Sequence, residues 1–188
     1  MKYLKHKDLT VILDFLTMDE IDILETYIGE AKWEESLGDE HFSNTITSPS
    51  VGQIAQGIRD RLKSTIEDNY ACNLSDESLA TFVKYRPGHG LRLHYDAVLV
   101  DDETGEEKIY KTFGGYPSID ISSTIYLGKQ FTGGEIHFPR LDITYRPVCG
   151  SVIIFPSSME YEHEVFPVTD GDRIMTSVFW HKLRDEKN

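Results

Sequence analysis

Residues 90–100 read GLRLHYDAVLV, an apolar β-type run interrupted by His94 and Asp96. An imidazole and a carboxylate two residues apart share a face of a strand, because successive side chains point to opposite sides. Arg92, His94 and Asp96 then face one way, and Leu91, Leu93 and Tyr95 the other. Two uses fit the pair: a hydrogen-bonded couple on a solvated face, or two ligands of a divalent metal. A metal needs a third donor from another segment, and His163, beside a late apolar run, is the candidate. Two histidines and one carboxylate suit Fe(II), Mn(II), Co(II) or Zn(II) and leave coordination positions open for oxygen chemistry. Glu135 and His137 in GEIHF form a rival pair, although Phe131 and Phe138 allow ordinary cross-strand packing there. His89 lies in the turn PGHG, and His6, His41 and His181 lie near termini or in irregular sequence.

A second feature opens the last strand. Arg173 and Ser177, four apart, share a strand face and could address one ligand. The planar guanidinium fork matches a carboxylate through two hydrogen bonds. The plainer use of Arg173 is an ion pair with Asp170 or Asp172 on the rim.

The elements that must position these groups fall into two blocks. TVILDF (10–15) reads as a short strand. Thr17 with Glu20 forms a capping box for a helix through about Tyr27, with Gly29 as its stop. Residues 34–48 read as irregular. Ser50 caps a longer helix over 51–69, with Ile54, Ile58, Leu62 and Ile66 as its apolar stripe. From Leu79 the pattern becomes strand-like: 79–85, 91–100, 119–127, 134–138, 143–146, 151–155, 162–168 and 172–180, separated by turn clusters such as PGHG, FTGG and TDGD. About eight short strands at this spacing predict a sandwich or barrel. The expected organisation is one domain over 1–188, with 1–75 a helical buttress carrying a short strand and 79–181 the β unit that carries the candidate site.

Composition narrows the function classes. A 39% hydrophobic, 11% aromatic chain is globular in type, and its 19 basic against 32 acidic residues give a net charge of −13. That balance disfavours a nucleic-acid surface, which needs clustered Lys and Arg, and fits a positively charged peptide or protein partner better. Two cysteines, Cys72 and Cys149, offer neither a disulfide framework nor a thiolate metal site, and Cys149 reads as a buried free thiol. No apolar run approaches membrane-spanning length, so the expectation is a soluble cytoplasmic or otherwise intracellular protein.

From Tyr85 onward the chain resembles the Fe(II)- and 2-oxoglutarate-dependent dioxygenases, in particular the prolyl 4-hydroxylase-like branch. The ordered set YRPGHGLRLHYD (85–96), STIYL (123–127), FTGGEIHFP (131–139), GSVIIFPS (150–157), HEV (163–165) and GDRIMTSVFW (171–180) carries the likeness over roughly 79–181. The resemblance implies a mainly β double-stranded β-helix (a cupin-like jelly roll) with N-terminal α-helices, and Fe(II) on His94, Asp96 and His163. It also implies 2-oxoglutarate bound by Arg173 with Ser177 and Tyr126, Tyr85 lining the pocket, O2 as oxidant and ascorbate as a candidate reductant. The implied reaction hydroxylates a prolyl residue of a peptide or protein, releasing succinate and CO2. The alternatives are the same chemistry on a free amino acid or small metabolite, and a metal-binding jelly roll without turnover. Arginine stands where collagen-type members usually have lysine, which turns the expectation away from collagen. Arg140 reads as a surface residue, and one of Phe179 and Trp180 should line the pocket. Loops near 101–118 and 128–134 are expected to close over substrate, using Gly105, Gly114, Gly115, Gly133 and Gly134.

Overall fold

Thr17 opens the first helix as its spacing requires: its hydroxyl accepts the Glu20 amide at 3.2 Å, and Glu20 Oε2 accepts the Thr17 amide at 2.8 Å. The computed structural model describes residues 3–35, 42–76, 81–100, 107–109, 119–128 and 130–183. In chain order the elements are β1 (Tyr3–His6), β2 (Leu9–Ile12), α1 (Met18–Glu30), β3 (Glu34–Glu35), β4 (Phe42–Thr45) and α2 (Pro49–Tyr70). Then come β5 (Thr81–Tyr85), β6 (Leu91–His94), β7 (Val98–Val100), β8 (Glu107–Ile109), β9 (Ile121–Tyr126) and β10 (Phe131–Gly133). The last are β11 (Ile136–Phe138), β12 (Ile143–Tyr145), β13 (Val152–Pro156), β14 (His163–Val165), β15 (Val168–Gly171) and β16 (Arg173–Trp180).

Eight strands form a major sheet in the order β1-β2-β13-β9-β16-β5-β4-β3, and four form a minor sheet in the order β12-β11-β14-β6. The ribbons β10-β15 and β7-β8 complete the set. The facing antiparallel sheets make a double-stranded β-helix. Both faces of the major sheet are covered, so its central strands bury both sets of alternating residues. One set (Ile121, Ile125, Val152, Ile154, Val178, Trp180) packs against Ile21, Leu24 and Ile28 of α1 and Val51, Ile58, Leu62 and Ile66 of α2. The other (Tyr126, Ile153, Phe155) meets Ile136, Phe138 and Tyr145 of the minor sheet. Arg61 ties the two helices: Nη2 and Nη1 donate to Glu20 Oε2 and Oε1 at 2.8 and 3.0 Å. Among the described residues no helix is long and apolar enough to cross a membrane.

Several elements differ from the sequence expectation. The N-terminal region contributes four strands rather than one, because β1 and β2 form a hairpin against β13 and β3–β4 pair onto β5. Polar FSNT lacks apolar alternation; edge pairing makes it a strand. The run 10–15 ends as a strand at Ile12. Helix α1 passes through Gly29 to Glu30, and α2 starts at Pro49 with Ser48 as its N-cap, since proline suits the first helical turn. The run 91–100 is two strands separated at 95–97, and 162–168 divides between β14 and β15. Cys149 is half-buried, with its thiol 3.1 Å from the Leu127 carbonyl. Residues 79–80, 101–106 and 110–118 lie outside the described residues, and with them most of the first proposed closing loop.

Candidate active site

His94 closes β6 and His163 opens β14, and antiparallel register pairs them directly. Their ring centroids are 4.4 Å apart. Asp96 departs from the expectation: it lies in the turn after β6, not on a continuous strand with His94. The turn still delivers its carboxylate, with Oδ1 3.4 Å from His94 Nε2. One ligand atom from each of His94, Asp96 and His163 lies within 4.8 Å of the others, and no other such group occurs among the described residues.

Backbone carbonyls set the imidazole tautomers. His94 Nδ1 lies 2.8 Å from the Arg92 carbonyl, and His163 Nδ1 lies 3.1 Å from the Tyr161 carbonyl. A carbonyl only accepts, so each Nδ1 carries a proton and Nε2 is the atom left to face a metal, at His94 once it gives up the proton it shares with Asp96. Phe138 and Phe155, with centroids 5.3 and 4.9 Å from the His163 ring, fix its plane. Burial pulls His163 down to about 4, which keeps it neutral near pH 7. Burial opposes charge on His94 and Asp96 as well, yet their mutual hydrogen bond outweighs it. His94 is raised and Asp96 is held below the usual carboxylate range. The donor set therefore fits a divalent first-row metal.

The three groups border a cavity of about 200 Å³ that Arg173, Tyr126, Thr124 and Ser177 also line. On β16, residues 173, 175, 177 and 179 all line it, so the shared face expected of Arg173 and Ser177 is observed. Phe179 forms part of its wall while Trp180 packs in the helix-side core. Arg173 is buried, with its guanidinium carbon 5.4 and 5.1 Å from the Tyr85 and Tyr126 ring centroids. Its Nε donates to the Gly134 carbonyl at 3.0 Å. Arg173 Nη1 and the Tyr126 hydroxyl, both buried, have no hydrogen-bond partner of good geometry. Burial pushes that hydroxyl up to about 12 against the pull of the guanidinium. The Ser177 hydroxyl sits 2.9 Å from that of Thr124. Asp172 turns away from Arg173, placing Oδ2 3.9 Å from Lys84. A buried cation with no acid beside it among the described residues, next to the Tyr126 hydroxyl, is chemically suited to an incoming carboxylate.

The other sequence candidates are not gathered here. His137 hydrogen-bonds to Thr144 at 2.9 Å and stacks on Phe166 outside the site. Arg140 pairs with Glu162 at 2.8 Å on the surface. Gly133 and Gly134 have φ of +73° and +67°. At Gly133 an added Cβ would meet the Pro167 carbonyl at 2.4 Å, and at Gly134 the Arg173 Cδ at 2.8 Å. These glycines permit close packing against Pro167 and Arg173. The contributions of Gly134 and Thr124 were missed in the sequence; the double glycine of FTGG was the available signal for the first, and nothing marked the second. Two larger clefts, of about 460 and 420 Å³, flank α1 and contain no convergent ligand set.

Fold and site together define a class. The model of the 2OG-Fe(II) oxygenase superfamily matches residues 80–181, more than half of the chain, and the chain belongs to that family. Prolyl 3-hydroxylase 3 of Homo sapiens is 34% identical over 99 residues, covering 50% of this chain and 13% of that protein. The chain thus spans a small part of that relative's length. A PKHD-type hydroxylase of Crocosphaera subtropica is 23% identical over 184 residues, or 96% of this chain and 76% of that one. Among solved structures, the viral collagen prolyl hydroxylase of Paramecium Bursaria Chlorella virus-1 in its 2OG complex superposes with a TM-score of 0.69 at 21% identity, covering 95% and 97% of the two chains. A Pseudomonas putida prolyl-4-hydroxylase gives a TM-score of 0.67 at 20% identity over 94% of each. At such identities the structural likeness concerns the fold.

Proposed function

We propose that this chain is an Fe(II)- and 2-oxoglutarate-dependent dioxygenase that hydroxylates a prolyl residue of a peptide or protein. The observation that carries the proposal is one cavity lined both by a two-histidine, one-carboxylate cluster and by a buried arginine with no acid beside it among the described residues. His94 and His163 through Nε2, with the Asp96 carboxylate, hold the metal. Arg173 binds the far carboxylate of 2-oxoglutarate, and the Tyr126 hydroxyl donates to it. Ser177 and Thr124 line the same cavity, and the Tyr85 ring lies against the guanidinium. When bound, iron with 2-oxoglutarate and O2 supplies an oxidation that converts the cosubstrate to succinate and CO2 and a C–H bond to C–OH. This chain's side chains place both reactants and exclude water. The cavity of about 200 Å³ is below the roughly 300–1,000 Å³ of a drug-sized pocket. It has room for a small dicarboxylate, and the substrate residue enters across the mouth beside Phe179, which is 39% exposed.

Prolyl hydroxylases recur among the relatives, which supports proline as the target. Anaerobic addition of Fe(II) and 2-oxoglutarate should produce a weak visible charge-transfer band, and its absence from folded, iron-loaded protein sinks the cosubstrate assignment. Succinate release in air, with ascorbate present, is then compared between proline-containing peptides and free proline. Release with free proline alone moves the substrate to the small-metabolite class.

A further inference from the structure

Because β6 ends at His94, strand pairing does not hold Asp96. Its turn is tied elsewhere: the Ala97 amide donates to the Ser157 carbonyl at 3.3 Å, while the Ser157 amide donates to the Asp120 carbonyl at 3.1 Å. The hydroxyls of Ser157 and of Ser122 on β9 lie 2.7 Å apart, with both residues buried. Ser122 also hydrogen-bonds to the Asp96 carboxylate. A carboxylate only accepts, so the single Ser122 proton goes to Asp96, and Ser157 must donate to Ser122. Such a chain strengthens each of its bonds by polarisation. The neighbouring Ser123 points to the other face, donating to the Val178 carbonyl and accepting from Trp180 Nε1, each at 2.9 Å. The two buried serines of this strand thus have separate duties.

We propose that Ser122, backed by Ser157, is a positioning residue that fixes the Asp96 carboxylate for metal binding. The inference rests on the ligand assignment above. Ser122 touches no reacting atom; it acts through Asp96, replacing the restraint that a continuous strand would have supplied.

The test is titration of Co(II) alone into metal-free protein, read by calorimetry and by the visible ligand-field spectrum, with circular dichroism confirming the fold. Ser122→Ala should weaken Co(II) binding by about 10–100-fold and alter the spectrum, as loss of a ligand's hydrogen-bond partner does. Ser157→Ala should give a smaller loss. Ser122→Thr, which keeps the hydroxyl, should restore most of the affinity. Ser123→Ala should lower thermal stability and leave Co(II) affinity unchanged. Folded Ser122→Ala with affinity within about twofold of the parent overturns the inference, given that Asp96→Ala loses binding. Failure of Ser122→Thr to restore affinity overturns it too, since the loss then belongs to packing. If Ser122→Ala does not fold, unchanged affinity in Ser157→Ala overturns it. Unchanged Co(II) binding by Asp96→Ala strikes the ligand assignment itself, and the inference with it.

Discussion

The two faces of the major sheet come from the same strands and are built to opposite standards. On the helix side Ile121, Ile125, Val178 and Trp180 bury apolar surface, and even Ser123 has its partners. On the cavity side the alternate residues are Ser122, Thr124, Tyr126, Arg173, Met175 and Ser177, and two buried polar atoms lack partners. A pair of arginines condenses the contrast. Arg61 meets both oxygens of Glu20 and lies 4.9 Å from the Phe15 ring centroid. Arg173 has aromatic neighbours as well, but no carboxylate among the described residues. Each leaves one nitrogen unpaired; the difference is the acid. A fold that places a cation against its own acid gains stability from it. A fold that buries a cation without one is organised around something it must bind.

If that contrast is right, substitutions on the cavity face should remove function and spare the fold, and those on the helix face the reverse. The largest effect is expected from Asp96→Ala: loss of Co(II) or Fe(II) binding and of 2-oxoglutarate turnover to background, with little change in Tm because no apolar core is removed. Full turnover by this variant would break the proposed function. The opposite case is Trp180→Ala. Removing that fully buried ring should cost about 3–5 kcal/mol by urea unfolding, while Co(II) affinity in the remaining folded protein stays unchanged. A selective loss of affinity at full stability would show that the faces are not separate.

Arg173→Met sharpens the comparison. The apo variant should unfold at or slightly above the parent's Tm, because a buried charge without its counter-ion contributes little stability. With 2-oxoglutarate at 100 times its Kd, the parent should gain about 2.7 kcal/mol and the variant nearly none. Apo destabilisation as large as that of Trp180→Ala would move Arg173 to the structural class.

How much of this was legible in the sequence follows the same division. Helices α1 and α2 were legible because their apolar spacing is local and repeated, and the capping box Thr17–Glu20 is a local signal. Strands β3 and β4 were not, since Phe42–Thr45 owes its conformation to pairing with β5, far along the chain. His94, His163 and Arg173 were legible as residue types in an ordered motif set. The geometry assumed for Asp96 was not, because a two-residue period describes a strand and cannot announce a turn. Ser122 and Thr124 looked like ordinary polar members of a strand. Only the sheet partners, Ser157 from β13's end and Ser177 on β16, show what their hydroxyls meet.

The smallest effect tests the satisfied arginine. Burial would raise the Glu20 carboxyl, but the Arg61 hydrogen bonds, with those from Thr17, outweigh it, and its pKa is lowered from the ordinary value. A carboxyl depressed in the folded state binds its proton more readily when unfolded. Its contribution is therefore complete above the unfolded carboxylate pKa, near 4.3, and disappears as pH falls through the lower folded value. Glu20→Gln should cost on the order of 1 kcal/mol near pH 7, as loss of a half-buried ion pair and capping contact does. Stability differences measured in urea at pH 7, 5, 4 and 3 should shrink toward the acid end. A difference that persists undiminished at pH 3 would assign the effect to packing, leaving Arg61 as poor in electrostatic partnership as Arg173 and the contrast between the two faces without its clearest pair.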